Sequence, residues 1–452
     1  MRHVGCEIAS FHTPGHKGRK PANSAICPEL TSRQMDLTEL PGLDELSNPC
    51  GVLADLEQRA ACLWGAKESI VSVNGASAAL AATMIALANR GSTVLLPRNA
   101  HRSVIHGLVL SGLFPVWYEP IWDDDWQIWG PVSATSAERL LQRYGSELAG
   151  LIVVSPTYAG ALSDIGPIAD LCRNLDLPLI VDAAHGAHLL PDSPMPESAL
   201  EAGADIVVHS LHKTLSALTQ TGLVHVGKSS LIDTGSLRSA ISFLQSSSPS
   251  YLLLASIEEA LAAVEDEAGK HSLGQLARHS QTVLSELARF PSLQVYETLS
   301  GTDPAHILLA PQAVPAERLY NYLCDRGVYP ETVLGRGVLL LLGLGTNSCD
   351  IDALVTALSD FQESLLEQPA ATDFTTGSGL PRRPPEAVQI VSPRQAALMP
   401  AELLPVHQAV GRISAETVAP CPPGTSVIVA GQRVPPEILE SASLQSLRVV
   451  IE

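Results

Sequence analysis

The sequence lacks the features that mark nucleic-acid-binding and membrane proteins. Its 28 lysines and arginines are outnumbered by 47 aspartates and glutamates, and the formal net charge of −19 leaves no basic stripe for a phosphate backbone. The longest apolar run, GVLLLLGLG, is far too short to span a membrane, and the N-terminal MRHVGCEIASFHTPGHKG has no apolar signal core. We therefore expect neither a nucleic-acid partner nor a membrane partner.

Paired cysteines and complete sets of metal ligands are also missing. The eight cysteines are scattered without a CxxC pair, so we expect reduced, mostly buried thiols in a cytoplasmic protein. His12 with His16, and His185 with His188, have a spacing that metal ligands use, but no third ligand joins either pair in a known pattern. We therefore predict no metal site.

The chain does have length and a regular alternation of helices and strands. Its 452 residues, 46% hydrophobic and 17% charged, indicate a globular protein of two or three domains. Between about Leu53 and Val226, short strands rich in Val, Ile and Leu alternate with helices, as is typical of strands buried on both faces. This pattern predicts an α/β fold with a mostly parallel sheet sandwiched by helices. One helix, ASAALAATMIALANR, is expected to end with Gly91 as its C-cap glycine.

The sequence pattern divides the chain into five parts. The stretch LEQPAATDFTTGSGLPRRPPE is rich in Pro, Gly, Thr and Ser and indicates a linker. The predicted parts are an N-terminal segment at 1–50 (an arm of the dimer and active site), a large cofactor-binding domain at 51–250, a smaller α+β domain at 251–365, the linker at 366–387 and a C-terminal module at 388–452.

Polar clusters follow five of the predicted strands. Ligands of open parallel sheets bind outside the carboxyl ends of the strands, so these side chains are expected to converge. The clusters are residues 74–77, 98–101 and 155–158, Asp182 with His185, and His209, Ser210, His212 and Lys213.

Pyridoxal phosphate is the cofactor whose chemistry fits these clusters. A partly desolvated Lys213 would bind its aldehyde, and Asp182 at a buried strand end would keep its ring nitrogen protonated. Its phosphate would lie at the helix that opens with Gly75, Ala76 and Ser77, with a second hydroxyl from Ser210. His101 would stack on the ring.

Each of these residues also has a simpler interpretation. A lysine after a strand is usually a surface residue, Asp182 could cap a helix, residues 75–77 could form an ordinary turn, and His101 could be a core histidine. The run Ser-Leu-His-Lys-Thr directly after an apolar strand favours the cofactor site over these alternatives.

Several longer motifs resemble the Orn/Lys/Arg decarboxylase family, pyridoxal-phosphate enzymes of the aspartate-aminotransferase fold (fold type I). The match is to the short form without the N-terminal wing domain, and the C-terminal module resembles the family's small C-terminal domain. The motifs are FHTPGHKG, DLTELPGLDEL, VNGASAA, RNAHRSVIHGLVLSG, SPTYAGALSDI, VDAAHGAH, HSLHKTLSALTQTG, SSPSYLLLAS and AVGRISAETVAPCPPGTSVIVAGQRV.

The resemblance implies a role for each site residue. Lys213 would carry the covalent link to the cofactor with His212 beside it, Asp182 would pair with the ring nitrogen, and His185 would lie close by. His101 would stack on the ring. The phosphate would be held by Ala76, Ser77 and Ser210, and Thr157 would approach the phenolic oxygen. Because the family builds its sites across a dimer interface, we expect a homodimer or dimer-based oligomer in which Glu331 acts on the partner's site.

The expected reaction is α-decarboxylation of a basic amino acid, feeding polyamine synthesis. Arginine is the favoured substrate, with lysine or ornithine close, and Glu331 is a candidate reader of its charged end. One alternative is another enzyme of the same fold, an aminotransferase or a carbon–sulfur lyase. Such aminotransferases hold the substrate carboxylate with an arginine, which VLLLLGLGTN lacks. The other alternative is a non-catalytic regulator that keeps the fold.

Overall fold

The computed structural model describes residues 9–11, 43–312, 314–367, 383, 385–420, 424–440 and 444–451. The predicted motif segment from residue 12 to residue 42 lies outside the described residues, as does most of the predicted linker.

The secondary structure alternates between helices and strands over the first half of the described chain. The strands, numbered in chain order, are β1 (Ala9–Phe11), β2 (Glu68–Ser72), β3 (Thr93–Pro97), β4 (Phe114–Tyr118), β5 (Trp122–Asp123), β6 (Ile128–Trp129), β7 (Gly150–Val154), β8 (Leu179–Asp182), β9 (Ile206–Ser210), β10 (Gly222–Val226), β11 (Leu293–Val295), β12 (His306–Pro311), β13 (Val328–Pro330), β14 (Thr332–Leu334), β15 (Gly337–Leu341), β16 (Ala401–Pro405) and β17 (Ser446–Val450). The α-helices are α1 (Val52–Trp64), α2 (Gly75–Leu87), α3 (Arg102–Ser111), α4 (Ala134–Tyr144), α5 (Ile165–Asn174), α6 (Leu211–Thr214), α7 (Thr234–Leu244), α8 (Tyr251–Glu265), α9 (Glu267–Leu287), α10 (Ala316–Asp325), α11 (Ser348–Glu367), α12 (Pro393–Leu398) and α13 (Val406–Ala409). Two 3₁₀ helices span Gly145–Glu147 and Pro436–Glu440.

A seven-stranded sheet forms the centre of the molecule, in the order β2-β10-β9-β8-β7-β3-β4. The neighbours among β9, β8, β7, β3 and β4 pair in parallel, whereas β10 runs antiparallel to both β9 and β2. Most residues of β7, β8 and β9 are buried, which accounts for their continuous apolar composition. The predicted α/β class with a mostly parallel sheet is confirmed.

Gly65 and Gly91 follow two helices of this region, but only Gly65 closes its helix. Gly65 closes α1 in the left-handed conformation (φ 69°). The expectation that Gly91 closes α2 is wrong, because α2 ends at Leu87 and Gly91 does not have a positive φ. The chain leaves α2 through tight i→i+3 bonds, from the Asn89 N–H to the Ala86 carbonyl and from Arg90 to Leu87, so no left-handed residue is needed.

Two smaller sheets and one short pairing complete the described chain. A four-stranded sheet has the order β11-β12-β15-β14, and β16 pairs with β17 in the C-terminal part. The N-terminal strand β1 pairs in parallel with β13, and its Phe11 side chain is fully buried. The predicted domain limits remain a prediction.

The cysteines correct one expectation. Of the five that the structure describes, all are free thiols and only Cys172 is buried, while Cys50, Cys62 and Cys349 are exposed. The expectation of mostly buried thiols is therefore wrong for this part of the chain. Among the described residues, no helix combines the length and apolarity needed to cross a bilayer.

Candidate active site

A cavity of about 630 Å³ lies at the carboxyl ends of the parallel strands. The structure brings to its walls the ten residues to which the sequence analysis gave a role in the site, whereas Arg98, Ser155 and His209 of the predicted polar clusters do not line it. The ten residues are Ala76, Ser77, His101, Thr157, Asp182, His185, Ser210, His212, Lys213 and Glu331.

Lys213 lies on the one-turn helix α6, which directly follows the buried strand β9. Its Nζ atom is 2.9 Å from Nε2 of His185, and the lysine side chain is half-buried. His212 precedes it, and the His212 Nδ1 atom lies 3.3 Å from the carbonyl oxygen of Thr221. A carbonyl can only accept, so Nδ1 of His212 carries a proton. Lys213 therefore reaches the cavity from a short helix, which is anchored by strand β9 before it and by the contact of His212 with Thr221.

Asp182 ends the neighbouring strand β8 and is 4% exposed. Its Oδ1 atom accepts the backbone N–H of Ala184 at 3.2 Å. Burial raises the pKa of the Asp182 carboxyl above its usual value, while the positive charge of Lys213 opposes the rise. The carboxylate therefore favours a positively charged group in the cavity.

The N-terminus of α2 opens on the same cavity. Asn74 precedes the helix but makes no side-chain capping bond, so the first N–H groups of α2 have no side-chain cap of their own. Gly75 has φ 72°, which favours glycine. Behind it, a Cβ atom on Gly222 would lie 2.8 Å from the Ala76 nitrogen, so the backbones approach closely. These N–H groups and the helix dipole favour an anion here.

His101 caps α3 through its side chain and is held by the C-terminal part of the chain. The Nδ1 atom accepts the backbone N–H of Ser103 at 3.2 Å, so the neutral ring carries its proton on Nε2. Burial, with the nearby charge of Lys213, lowers the pKa of His101 to about 4. A Cβ atom on Gly424 would lie 2.6 Å from His101 Cδ2, and the Arg102 N–H donates to the Gly424 carbonyl at 2.9 Å. The His101 ring is therefore neutral and confined.

Thr157 and Glu331 lie on the other walls of the cavity. The Thr157 hydroxyl oxygen accepts the N–H of Ala161 at 3.0 Å, which leaves its own hydrogen for donation. The Tyr158 hydroxyl donates to Glu331 Oε1 at 2.9 Å. Glu331 lines the cavity of its own chain, and the expectation that it acts on a partner's site stays a prediction.

Sequence reasoning missed several residues that line the cavity. They come from segments that do not follow the predicted strands, so strand-end reasoning had no signal for them. They include Trp122, Gln127, Trp129, Gln220, Glu317, Val333, Thr425 and Val427. Thr425 and Val427 show that the C-terminal part of the chain forms a wall of the site.

Among the residues that the structure describes, no group of three or more His, Cys, Asp or Glu side chains is arranged to hold a metal ion. The His185 and His188 side chains point to different partners: His185 Nε2 faces Lys213, and His188 Nε2 lies 2.7 Å from Asp303. His12 and His16 lie outside the described residues.

Fold and site together define an α/β protein with a lysine, a buried aspartate and a helix N-terminus at one sheet edge. The sequence model "Orn/Lys/Arg decarboxylase, major domain" matches residues 1–308. The chain belongs to the Orn/Lys/Arg decarboxylase family, a family of amino-acid decarboxylases, which confirms the resemblance and the enzyme class expected from the sequence.

Curated relatives and a solved structure agree with this family. The chain is 31% identical to "Uncharacterized protein YaaO" of Bacillus subtilis, over 98% of this chain and 92% of the relative. It is 30% identical to an arginine decarboxylase of the same organism, over 96% of this chain and 90% of the relative. The constitutive lysine decarboxylase of Escherichia coli superposes with a TM-score of 0.75 at 20% identity, over 91% of this chain and 70% of that chain. Its fold is therefore that of this chain.

Proposed function

We propose that this protein uses pyridoxal phosphate to decarboxylate a basic amino acid to the corresponding amine and CO2. Arginine is the favoured substrate, with lysine or ornithine close, and the amine would feed polyamine synthesis. The observation that carries the proposal is the meeting of Lys213 and Asp182 in one cavity, at the ends of the adjacent parallel strands β9 and β8. The arginine decarboxylase among the relatives supports the order of substrates.

The donor set of the cavity fits pyridoxal phosphate. A buried carboxylate that favours a positive partner suits the protonated ring nitrogen, and the N-terminus of α2 suits the phosphate. Ser77 and Ser210 add hydroxyls at the same wall, and Lys213 supplies the amine. When bound, the cofactor supplies an electron sink for the bond that breaks at the substrate α-carbon.

The chain's own residues have separable tasks in this reaction. Lys213 binds the cofactor and moves protons at Nζ, for which His185 Nε2 at 2.9 Å is the adjacent acceptor. Asp182 would hold a proton on the ring nitrogen of the cofactor. The neutral ring of His101 would lie against the cofactor and exclude water without adding charge. Thr157 would donate its hydroxyl hydrogen to the phenolic oxygen.

The alternatives predict different products. We expect CO2 and agmatine, cadaverine or putrescine when purified protein and cofactor are incubated with arginine, lysine or ornithine. A keto acid without CO2 would instead indicate an aminotransferase, and pyruvate from a cysteine-type substrate would indicate a carbon–sulfur lyase. A protein that takes up no cofactor and changes none of the substrates would be the regulator.

Glu331 is proposed to read the charged end of the substrate. Tyr158 holds one of its oxygens, which fixes the carboxylate at the cavity wall. We expect Glu331→Gln to raise the KM for the preferred substrate by about 10- to 100-fold, since a hydrogen bond to a charged group contributes about 1.5–3 kcal/mol. Steady-state kinetics would measure this change.

The comparison variant is Glu317→Gln, which removes the same charge from the same cavity. If Glu317→Gln raises KM and Glu331→Gln does not, then Glu317 binds the charged end of the substrate and this part of the proposal fails.

Gly424 gives a test of how the C-terminal part holds His101. Gly424→Ala is expected to destabilise the protein by about 1–2 kcal/mol through its left-handed backbone (φ 84°). Its Cβ would also displace the His101 ring and lower kcat. Gly411→Ala is the matched control, because Gly411 has φ 82° but open space around its Cβ position. Thermal unfolding and kcat measured on both variants separate the two effects: equal kcat losses would exclude a role of the Gly424 contact.

A cytoplasmic homodimer, or an oligomer built from dimers, completes the proposal. The dimer is expected because members of the family build their active sites between two subunits. Sedimentation of the purified protein at several concentrations measures the assembly directly.

A further inference from the structure

A row of closely spaced polar side chains extends from Lys213 away from the cavity. His185 Nε2 lies 2.9 Å from Lys213 Nζ, and His185 Nδ1 lies 3.0 Å from His306 Nε2. His306 Nδ1 is 3.1 Å from Asp303 Oδ2, an electrostatic contact rather than a linear hydrogen bond. Asp303 Oδ1 is 2.7 Å from His188 Nε2. These groups connect the edge of the large sheet to the start of β12 in the small sheet.

The far end of this row is fixed by charge. Burial alone would raise the pKa of the Asp303 carboxyl, but the adjacent rings of His188 and His306 lower it well below its usual range. The carboxyl is therefore an anion and can only accept. His188 Nε2 therefore donates to Asp303 Oδ1, and the anion favours a hydrogen on His306 Nδ1, 3.1 Å from Oδ2.

The protonation of each remaining nitrogen follows in turn. The ammonium of Lys213 can only donate, so His185 Nε2 is bare and the neutral His185 ring carries its hydrogen on Nδ1. His306 Nε2 faces that hydrogen at 3.0 Å and accepts it, which leaves the His306 hydrogen on Nδ1, toward Asp303. Burial, with the nearby charge of Lys213, lowers the pKa of His185 well below its usual value, so the ring is neutral at rest.

Backbone contacts hold these polar side chains in place. The Asp303 N–H donates to the Gly160 carbonyl at 2.8 Å, and the Ala305 N–H donates to Asp303 Oδ1 at 2.9 Å. Gly160 has φ 89°, and a Cβ atom there would lie 2.5 Å from His306 Cβ. Gly160 therefore packs closely against His306, and a larger residue at position 160 would displace it.

We propose that Asp303 and His306 are positioning residues that hold His185 with its hydrogen on Nδ1, so that His185 Nε2 is the proton acceptor of Lys213. This inference rests on the proposed function, in which Lys213 must lose a proton before its lone pair attacks the cofactor aldehyde.

The proton transfer needs only Lys213 and His185 as donor and acceptor. One proton leaves Lys213 Nζ and binds His185 Nε2, which yields a neutral amine and an imidazolium, with no change in oxidation state. The imidazolium still donates from Nδ1 to His306, and the anion of Asp303 lies behind it. Without that anion, only the charge of Lys213 would favour the form of His185 with hydrogen on Nδ1, and that charge is lost when the proton leaves.

The groups that act on the protonation of His185 come from five different segments. They are Lys213 and His212 on α6, His306 at the start of β12, His101 before α3, Asp182 at the end of β8 and Tyr158 after β7. The Asp303, His306 and His188 variants below leave all of these except His306 unchanged.

The test is the pH dependence of cofactor capture by the full-length apoprotein. The probe is pyridoxal phosphate, and the readout is the rate at which visible absorbance of the lysine-bound cofactor appears. Asp303→Asn and His306→Leu should each raise the pH midpoint of this rate by about one unit, so capture below the midpoint slows about tenfold. His306→Gln should keep the wild-type midpoint, because its Oε1 can accept from His185 Nδ1.

His188→Gln is the matched control. Its side chain can still donate to Asp303 Oδ1, and it lies outside the path from Asp303 to Lys213, so its midpoint should equal that of the wild type. Equal midpoints in the wild type, Asp303→Asn and His306→Leu would overturn the inference. A wild-type protein that captures no pyridoxal phosphate would instead overturn the proposed function, as would capture by Lys213→Ala at the wild-type rate.

Nitrogen NMR of the wild-type protein tests the inference if the Asp303 and His306 variants fail to fold. In wild-type apoprotein labelled with ¹⁵N-histidine, the resonances lost in His185→Asn report the tautomer of His185. A protonated Nδ1 with a bare Nε2 supports the proposal, and the reverse pattern overturns it.

Discussion

Lys213→Ala is expected to abolish turnover, with a loss of about a thousandfold or more. Lys213 is the amine that the cavity presents beside His185, and alanine removes both the attachment point and the proton carrier. Loss of decarboxylation should be accompanied by loss of visible absorbance from the purified protein. Amine production in a fixed-time assay, with and without added pyridoxal phosphate, measures the first effect.

The control for this prediction is Lys228→Ala. Lys228 is exposed and follows β10, the next strand after Lys213, so the substitution removes the same side chain without touching the cavity. Its activity should match that of the wild type. A Lys213→Ala protein with near-normal activity would refute the assignment of the cofactor lysine.

Asp182→Asn is expected to bind cofactor but to turn over about 10²- to 10³-fold more slowly. The amide cannot hold a proton on the ring nitrogen by charge, whereas the lysine and the N-terminus of α2, which we propose to hold the phosphate, remain. A loss of only a few-fold would count against the electron-sink role.

The same substitution should change stability in opposite directions with and without cofactor. Burial raises the folded-state pKa of Asp182, so the ionised carboxylate destabilises the apoprotein as the pH rises above the unfolded-state pKa. Asparagine removes this penalty, so at neutral pH the apoprotein should melt at the same or a higher temperature. The rise in Tm on adding pyridoxal phosphate should shrink. Asp170→Asn, an exposed loss of the same charge, should alter neither.

The local sequence pattern was sufficient to predict the large sheet and the site residues that directly follow its strands. Lys213 and Asp182 each follow an apolar run, and parallel strands bring their carboxyl ends to one edge, so their meeting requires only topology. Roles remain predictions, because position at a cavity wall does not establish chemistry.

Contacts between distant segments were beyond that reasoning. His306 is 121 residues from His185 in sequence, and it stands at the start of a strand in another sheet. Gly424 reaches His101 from the C-terminal part of the chain. The residues that surround a glycine or a single histidine in the sequence do not indicate its partner in space. These contacts are therefore visible only in the folded structure.

The single antiparallel strand of the large sheet has a consequence for substrate entry. Since β10 reverses direction, Lys213 lies in the connection of a hairpin whose ends, Ser210 and Gly222, pair with each other. The backbone at both ends of that connection is held inside the sheet, and the Leu211 N–H donates to the Thr221 carbonyl. A substrate therefore meets a lysine whose backbone is anchored, in a cavity that is also lined by residues 333–335, Thr425 and Val427.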